Sequence, residues 1–210
     1  MKRLINRKTG IALLGAALAL LALPLIAQTT TVPTTTDNSR PPTINQRKEN
    51  QQDRIANGVQ NGQLTAGETK SLETKESDIN HEEHDMRNLD DGHLTSADRA
   101  TLNQQQNQES HQIYNDKHNT NVQNTDPKSE VGQRQRNQQE RIAQGIKSGQ
   151  LTAGETSHLE GHEAAVNHEI HNDRAANGGK LTASEKAKVN RQENRDSARI
   201  YRDKHNGRKQ

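Results

Sequence analysis

The sequence lacks cysteine, phenylalanine and tryptophan, and its aromatic residues are two tyrosines, Tyr114 and Tyr201. Without cysteine the chain has no disulfide and no thiolate metal site, and a lipid-anchored N-terminal cysteine is excluded. A general nucleic-acid binder usually offers aromatic stacking platforms and a basic face. The scarcity of aromatic side chains therefore argues against a nucleic-acid partner.

Large apolar side chains are also scarce, since hydrophobic residues make up 27% of the chain and the mean hydropathy is −1.22. So few of them make a deep, dry pocket hard to build. The motifs H-E-x-x-H and G-x-S-x-G and a phosphate-binding glycine loop are absent from the sequence. We therefore predict a protein that is not an enzyme and has no resident cofactor, and whose folding is marginal.

The N-terminus predicts export. Lys2, Arg3, Arg7 and Lys8 precede an apolar run over residues 11–27, which is the pattern of a secretory signal peptide. We expect residues 1–27 to direct the protein to the periplasm or the medium, with membrane contact only through this segment if it stays uncleaved. Without it the charge changes from +2 to −2, because it carries four basic residues and no acid.

An internal duplication organises the rest of the chain. Residues 46–119 (repeat 1) and 133–206 (repeat 2) align without a gap at an offset of 87, with 39 identities over 74 positions. This predicts a Thr/Pro-rich tether at 28–45, a linker at 120–132 and a tail at 207–210. Repeat 1 has a net charge of −6 and repeat 2 of +3. Either the charges favour docking of the repeats or a homo-oligomer, or they reflect drift of solvated faces.

A short pattern, G-x-L-T-x-x-E or its Asp variant, occurs twice in each repeat. Its glycine suits the left-handed end of a helix, its threonine an N-cap, and the acid three positions later a capping box. The pattern predicts helices at 46–60, 66–89, 96–117, 133–147, 153–176 and 183–204. Leu72, Ile79 and Met86 supply a buried stripe, whereas the polar stretch 103–111 makes the third helix weakest. The expected fold is all-α, with two tandem copies of a three-helix unit and flexible linkers.

At this helix–loop–helix element the chain resembles the EF-hand family. The resemblance covers the glycine at loop position six and the acid at position twelve, which are Gly62, Gly92, Gly149 and Gly179, and Glu68, Asp98, Glu155 and Glu185. In that family the glycine permits the sharp turn and the final acid binds Ca²⁺. Loop positions one, three and five depart from the family pattern, being Asn57, Val59 and Asn61 in the first loop. The resemblance implies paired helical hairpins and at most weak Ca²⁺ binding at these acids.

Histidines provide a second candidate metal site, for Zn²⁺ or a similar ion. They are spaced three or four residues apart on the middle helix of each repeat, as His81 and His84 in repeat 1 and as His158, His162, His168 and His171 in repeat 2. Such spacing places imidazoles on one side of a helix, and for His81, His84, His168 and His171 that side lies opposite the apolar stripe. A solvated polar face and a pH-responsive charge face are the alternatives.

The two tyrosines occupy equivalent positions in the segment I-Y-x-D-K-H-N that ends each repeat. We expect them to anchor the core at a helix end, with a contact for a partner as the alternative. For function we expect a structural or interaction module of the cell envelope or secretome, with a protein or envelope component as partner. Weak divalent-cation binding and a hydrophilin-like role in stress protection are the alternatives.

Overall fold

The computed structural model describes residues 42–123, 125–126 and 128–210. This part of the chain is all-helical, as predicted, with six helices and no strand. They are α1 (Ile44–Gln60), α2 (Ala66–Leu89), α3 (Ser96–His118), α4 (Glu130–Lys147), α5 (Ala153–Ala176) and α6 (Ala183–Lys204). None of these helices is long and apolar enough to cross a membrane. The expected signal peptide and most of the expected tether lie outside the described residues.

The predicted capping residues begin the helices as expected. Thr65, Thr95, Thr152 and Thr182 are N-caps, and each forms a capping box with the acid three positions later. Two further caps were not predicted. Thr43 starts α1 at Ile44 with Gln46 as its partner, and Ser129 starts α4 at Glu130, so both helices begin earlier than the hydrophobic pattern indicated.

Glycine is required within α1 and α4 as well as in the loops. The loop glycines Gly62 and Gly149 have φ of +67° and +64°, the left-handed conformation expected of them. Inside α1, a Cβ on Gly58 would lie 2.7 Å from Leu64 Cδ1, and inside α4 one on Gly145 would lie 2.5 Å from Leu151 Cδ1. These two helical glycines make room for the leucine of the following loop to turn back onto the helix.

The main apolar cluster, which we call the central core, draws equally on both repeats. Every residue that repeat 1 contributes has its counterpart 87 positions later. The central core contains Ile55, Ala56, Val59, Leu64, Leu72 and Ile113, and Ile142, Ala143, Ile146, Leu151, Leu159 and Ile200. Either repeat alone would supply only half of this core.

Two smaller distal clusters lie apart from the central core. One contains Ile79, Leu94 and Leu102, with Ile44 and Met86 partly buried against them. The other contains Val131, Val166, Ile170 and Val189, with Leu181 packed on them. The loop leucines and the predicted stripe on α2 therefore face apolar surroundings, as expected.

Helices α2 and α5 make the most extensive contact in the bundle, followed by α1 and α4. The α2–α5 contact is close because its residues are small. A Cβ on Gly154 would lie 3.4 Å from Ser77 Oγ, and one on Gly161 would lie 3.6 Å from Lys70 Cδ. Gly161 comes after Gly154 on α5, whereas its neighbour Lys70 comes before Ser77 on α2. The two helices therefore run antiparallel.

Candidate functional site

The clearest candidate for a binding site is a pair of equivalent aromatic stacks on the surface. Tyr114 stacks on His118, and Tyr201 stacks on His205, each with ring centroids 4.2 Å apart and an interplanar angle of 27°. Tyr114 is 57% exposed and Tyr201 is 63% exposed. The expectation that these tyrosines anchor the core is therefore wrong.

Helix geometry explains why the tyrosines face outward. The residues directly before them, Ile113 and Ile200, are fully buried in the central core. Successive helical residues point about 100° apart, so burial of the isoleucine turns the tyrosine away from the core. The isoleucine is the anchor, and the neighbouring tyrosine is held at the surface by it.

Hydrogen bonds hold each stack in place. The Nδ1 atom of His118 lies 2.7 Å from the Tyr114 carbonyl oxygen, and that of His205 lies 2.6 Å from the Tyr201 carbonyl oxygen. Lys117, which precedes His118 on α3, donates from its Nζ atom to the Arg54 carbonyl of α1 at 3.1 Å. Burial of this ammonium, with Arg54 nearby, lowers the pKa of Lys117. Each pair is thus an ordered aromatic stack on which the exposed tyrosine ring can contact a ligand.

The predicted histidine ligands all lie at the surface. His81 and His84 on α2, and His158, His162, His168 and His171 on α5, are exposed. In the described residues, no group of three or more His, Asp or Glu side chains is arranged to hold a metal ion. His168 instead has Asn172 Nδ2 3.2 Å from its Nδ1 atom. Metal binding at these histidines stays a prediction.

The predicted loop acids serve their own helices. Glu68 Oε2 accepts from the Thr65 backbone N–H at 2.9 Å, while its Oε1 accepts from Asn119 and Asn121 at 2.8 and 2.9 Å. Although burial opposes it, hydrogen bonds from Asn121, Thr65 and Asn119 lower the pKa of Glu68. Cation binding at Glu68 would compete with these bonds.

The other three loop acids are held in similar ways. Glu155 accepts from Thr152 and from Asn206, and hydrogen bonds lower its pKa although burial opposes them. Hydrogen bonds from their threonines likewise lower the pKa of Asp98 and of Glu185. Ca²⁺ coordination by these acids stays a prediction.

The linker contributes to the first loop, which the sequence did not predict. Gln123 N–H donates to the Gly62 carbonyl at 3.1 Å, and Gln123 Oε1 accepts from the Ala66 N–H at 3.1 Å. The C-terminal residue Gln210 donates to the Gly149 carbonyl at 3.4 Å, 87 positions later. The structural correspondence therefore continues past the 74 aligned positions of the two repeats.

A second feature that the sequence analysis missed is a set of polar side chains buried inside the bundle, which we call the buried polar layer. Its members are paired at the repeat offset and are all at most 5% exposed. The layer consists of Gln51, Gln52, Glu73, Glu76, Gln106 and Glu109, and of Gln138, Gln139, Glu160, Glu163, Glu193 and Asp196.

The layer lies between apolar clusters. On α2, Glu76 comes between Leu72 of the central core and Ile79 of the distal cluster. On α3, Gln106 and Glu109 come between Leu102 and Ile113 in the same way. Burial raises the pKa of Glu76 to about 7, and burial, with Glu76 adding to it, raises the pKa of Glu109 to about 8.

One signal for this layer was present in the sequence. Leu102, Gln106, Glu109 and Ile113 follow the 4-3-4 spacing of a helical face, so the two polar residues share the face of the two apolar ones. By hydropathy alone, the stretch 103–111 interrupts the apolar pattern of α3. Periodicity places its residues 106 and 109 inside.

In comparisons with protein-family models, with curated proteins and with solved structures, the chain matches none of them.

Proposed function

We propose that this protein is an exported, non-enzymatic structural or interaction module of the cell envelope or secretome, which contacts a protein or glycan partner through its two Tyr–His pairs. The observation that carries the proposal is the exposure of both tyrosines at equivalent positions, 57% and 63%. Tyrosine offers a large contact area at a small cost in side-chain entropy, and it is enriched among residues that dominate binding energy.

The positioning of each pair supports this role. Each tyrosine follows an isoleucine that is fixed in the central core, and each stacks on a histidine one turn later. A preorganised surface loses little conformational freedom on binding, which improves affinity without new contacts. The pairs are therefore suited to recognition.

The proposal includes the arrangement of the chain as two tandem copies of a three-helix unit. Its support is the recurrence of hydrogen bonds at the repeat offset, such as Arg54 to Ser110 and Arg141 to Ser197. Two equivalent pairs on one body allow bivalent binding, in which the second contact forms at high effective concentration. The expected Thr/Pro-rich tether at 28–45 would then place this bivalent module away from its point of export.

The test is co-sedimentation of the full-length protein with purified peptidoglycan sacculi and, separately, with envelope membrane vesicles. We expect binding to one of them, a loss of at least about tenfold in affinity on combining Tyr114→Ala with Tyr201→Ala, and an intermediate loss for each single change. The matched control is Leu89→Ala, because Leu89 is 84% exposed and its repeat counterpart is Ala176. Binding that survives the double change, or that Leu89→Ala weakens equally, would contradict the proposal.

A further inference from the structure

The buried polar layer contains more hydrogen-bond acceptors than donors. Gln51 Nε2 donates to the Gln106 carbonyl at 2.8 Å, and Gln106 Nε2 donates to the Ile44 carbonyl at 3.0 Å. Their Oε1 atoms, like both carboxyl oxygens of Glu76 and of Glu109, are buried and have no hydrogen-bond donor within the described chain. An unpaired buried acceptor costs free energy, so this layer needs additional donors.

The same imbalance recurs in repeat 2. Gln138 Nε2 donates to the Glu193 carbonyl at 2.8 Å and Gln139 Nε2 to Glu160 Oε2 at 3.0 Å. The Oε1 atoms of these two glutamines and both carboxyl oxygens of Glu193 have no donor among the described residues. A carboxyl group that holds a proton becomes a donor through its O–H. Protons would thus correct the imbalance in both repeats.

From this geometry we propose that the fold is a pH-responsive device: the buried polar layer closes with its glutamates in the neutral form, and the helix packing loosens when they ionise. The proposal concerns folding and is independent of the function proposed for the Tyr–His pairs.

The groups around the layer in repeat 1 leave it short of cations. Lys48 of α1 favours ionisation of Glu76, but its Nζ atom lies 2.9 Å from Glu83 Oε2. Lys75 of α2 favours ionisation of Glu109, whereas Glu76 and Asp116 oppose it. Burial in low-dielectric surroundings outweighs these charges.

Glu83 shows what a paired carboxyl does in the same helix. It lies next to Lys48 and Arg87, with Arg87 Nη2 2.7 Å from its Oε1 atom. Although burial opposes them, these two cations lower the pKa of Glu83. Glu76 has no ion pair among the described residues, and burial raises its pKa.

In repeat 2 one cation pairs with an acid of the layer, Asp196, and another is engaged outside the layer. Arg199 of α6 lies 2.6 Å from Asp196 Oδ1, and Arg134 of α4 donates to Asn194 at 2.8 Å. Burial and Asp196 raise the pKa of Glu193 to about 7 despite Arg134. Burial raises the pKa of Glu163 well above its ordinary range, with Glu160, Glu193 and Asp196 adding to it.

The proposed pH dependence also involves the contact between the two repeats. Burial raises the pKa of Glu73 on α2, and repulsion from Glu76, Glu109 and Glu160 adds to it. Glu160 belongs to α5, so ionisation of both Glu73 and Glu160 would place two buried negative charges across the α2–α5 contact. Burial raises the pKa of Glu160 to about 8.

The experiment measures the thermal unfolding midpoint of the full-length protein between pH 5.5 and pH 8.5, in EDTA. We expect a fall of about 10 °C or more over this range, since several glutamates lose their protons. In the combined variant Glu76→Gln and Glu163→Gln, a neutral amide replaces each acid, and we expect a smaller fall. Glu49→Gln, an exposed change on α1, should leave the fall as it is in the native protein.

A second measurement does not depend on the variants. Unfolding the native protein at pH 7 in weak buffer should release protons, at least about two per chain, because the unfolded glutamates ionise near pH 4.5. No release, or a midpoint that does not change with pH, would overturn the proposal. Recovery of the pH 8.5 midpoint by millimolar Mg²⁺ or Ca²⁺ would also overturn it, because the layer would then be a cation site.

Discussion

The hydroxyl oxygens of Thr74 and Ser157 lie 2.7 Å apart across the contact between α2 and α5. Ser157 Oγ also lies 3.3 Å from the Lys70 carbonyl oxygen of α2, to which it can donate. Two short side chains thus allow the middle helices of the two repeats to approach closely. This contact joins the parts of the chain that the sequence shows as separate copies.

We expect Ser157→Leu to destabilise the protein by about 1 to 3 kcal/mol, because a larger side chain cannot fit in a closely packed helix contact. The measurement is chemical unfolding of the full-length protein. Ser71→Leu is the matched control, since Ser71 is exposed on α2 at the repeat counterpart of His158. Equal losses in the two variants would argue against a close α2–α5 contact.

The shared central core predicts that neither repeat folds well alone. A fragment of residues 42–123 and one of residues 128–210 should each show low helicity, because each contains only half of the residues that form the central core. Mixing them in equal amounts should restore helicity beyond the sum of the separate circular dichroism spectra. Fully helical separate fragments with no gain on mixing would contradict this expectation.

Gly58→Ala and Gly145→Ala should each cost about 1 to 3 kcal/mol, because the new methyl group would displace the loop leucine from the helix. The readout is the free energy of unfolding from urea titration. Gly67→Ala is the control, since a Cβ at this helical position meets nothing within 4 Å. That change should stabilise the protein by roughly 0.5 to 1 kcal/mol. The prediction is wrong if all three variants behave alike.

The capping boxes should contribute measurably to the stability of the protein. Thr65→Ala and Thr152→Ala remove the acceptors for the backbone N–H groups of Glu68 and Glu155. Each should cost about 0.5 to 2 kcal/mol by thermal unfolding. Thr101→Ala, at an exposed position within α3, serves as the control and should be neutral or slightly stabilising.

Stability should reach its maximum in mildly acidic solution. Acids with a raised pKa, such as Glu76 and Glu109, hold protons that the unfolded chain releases, so stability falls as the pH rises from about 4.5 towards 7 to 8. Acids with a lowered pKa, such as Glu68 and Glu155, contribute stability above about 4.5 that is lost as the pH falls below it. Urea unfolding across pH 3 to 9 measures both limbs. A maximum at pH 8 or above would contradict this assignment.

Local features of the sequence located most helix ends. Glycine and threonine act on their immediate neighbours, so Gly62 and Thr65 mark the end of α1 and the start of α2 without knowledge of the fold. The exposure of His81, His84, His168 and His171 followed from helix periodicity in the same way. The early starts of α1 and α4 were missed because Thr43 and Ser129 stand outside the hydrophobic pattern.

The tertiary structure decided what each helical face contacts. Tyr114 and Ile113 are both apolar enough for a core, and only the packing of α3 shows that the isoleucine is buried and the tyrosine exposed. Glu76 and Glu109 look solvated in sequence but are enclosed by neighbouring helices. By itself the sequence determined the repeat, most helix bounds and the four threonine caps of the repeated pattern, and the bounds and caps could be found because they depend on residues close in the chain. Burial depends on residues distant in the chain, and it required the packed bundle.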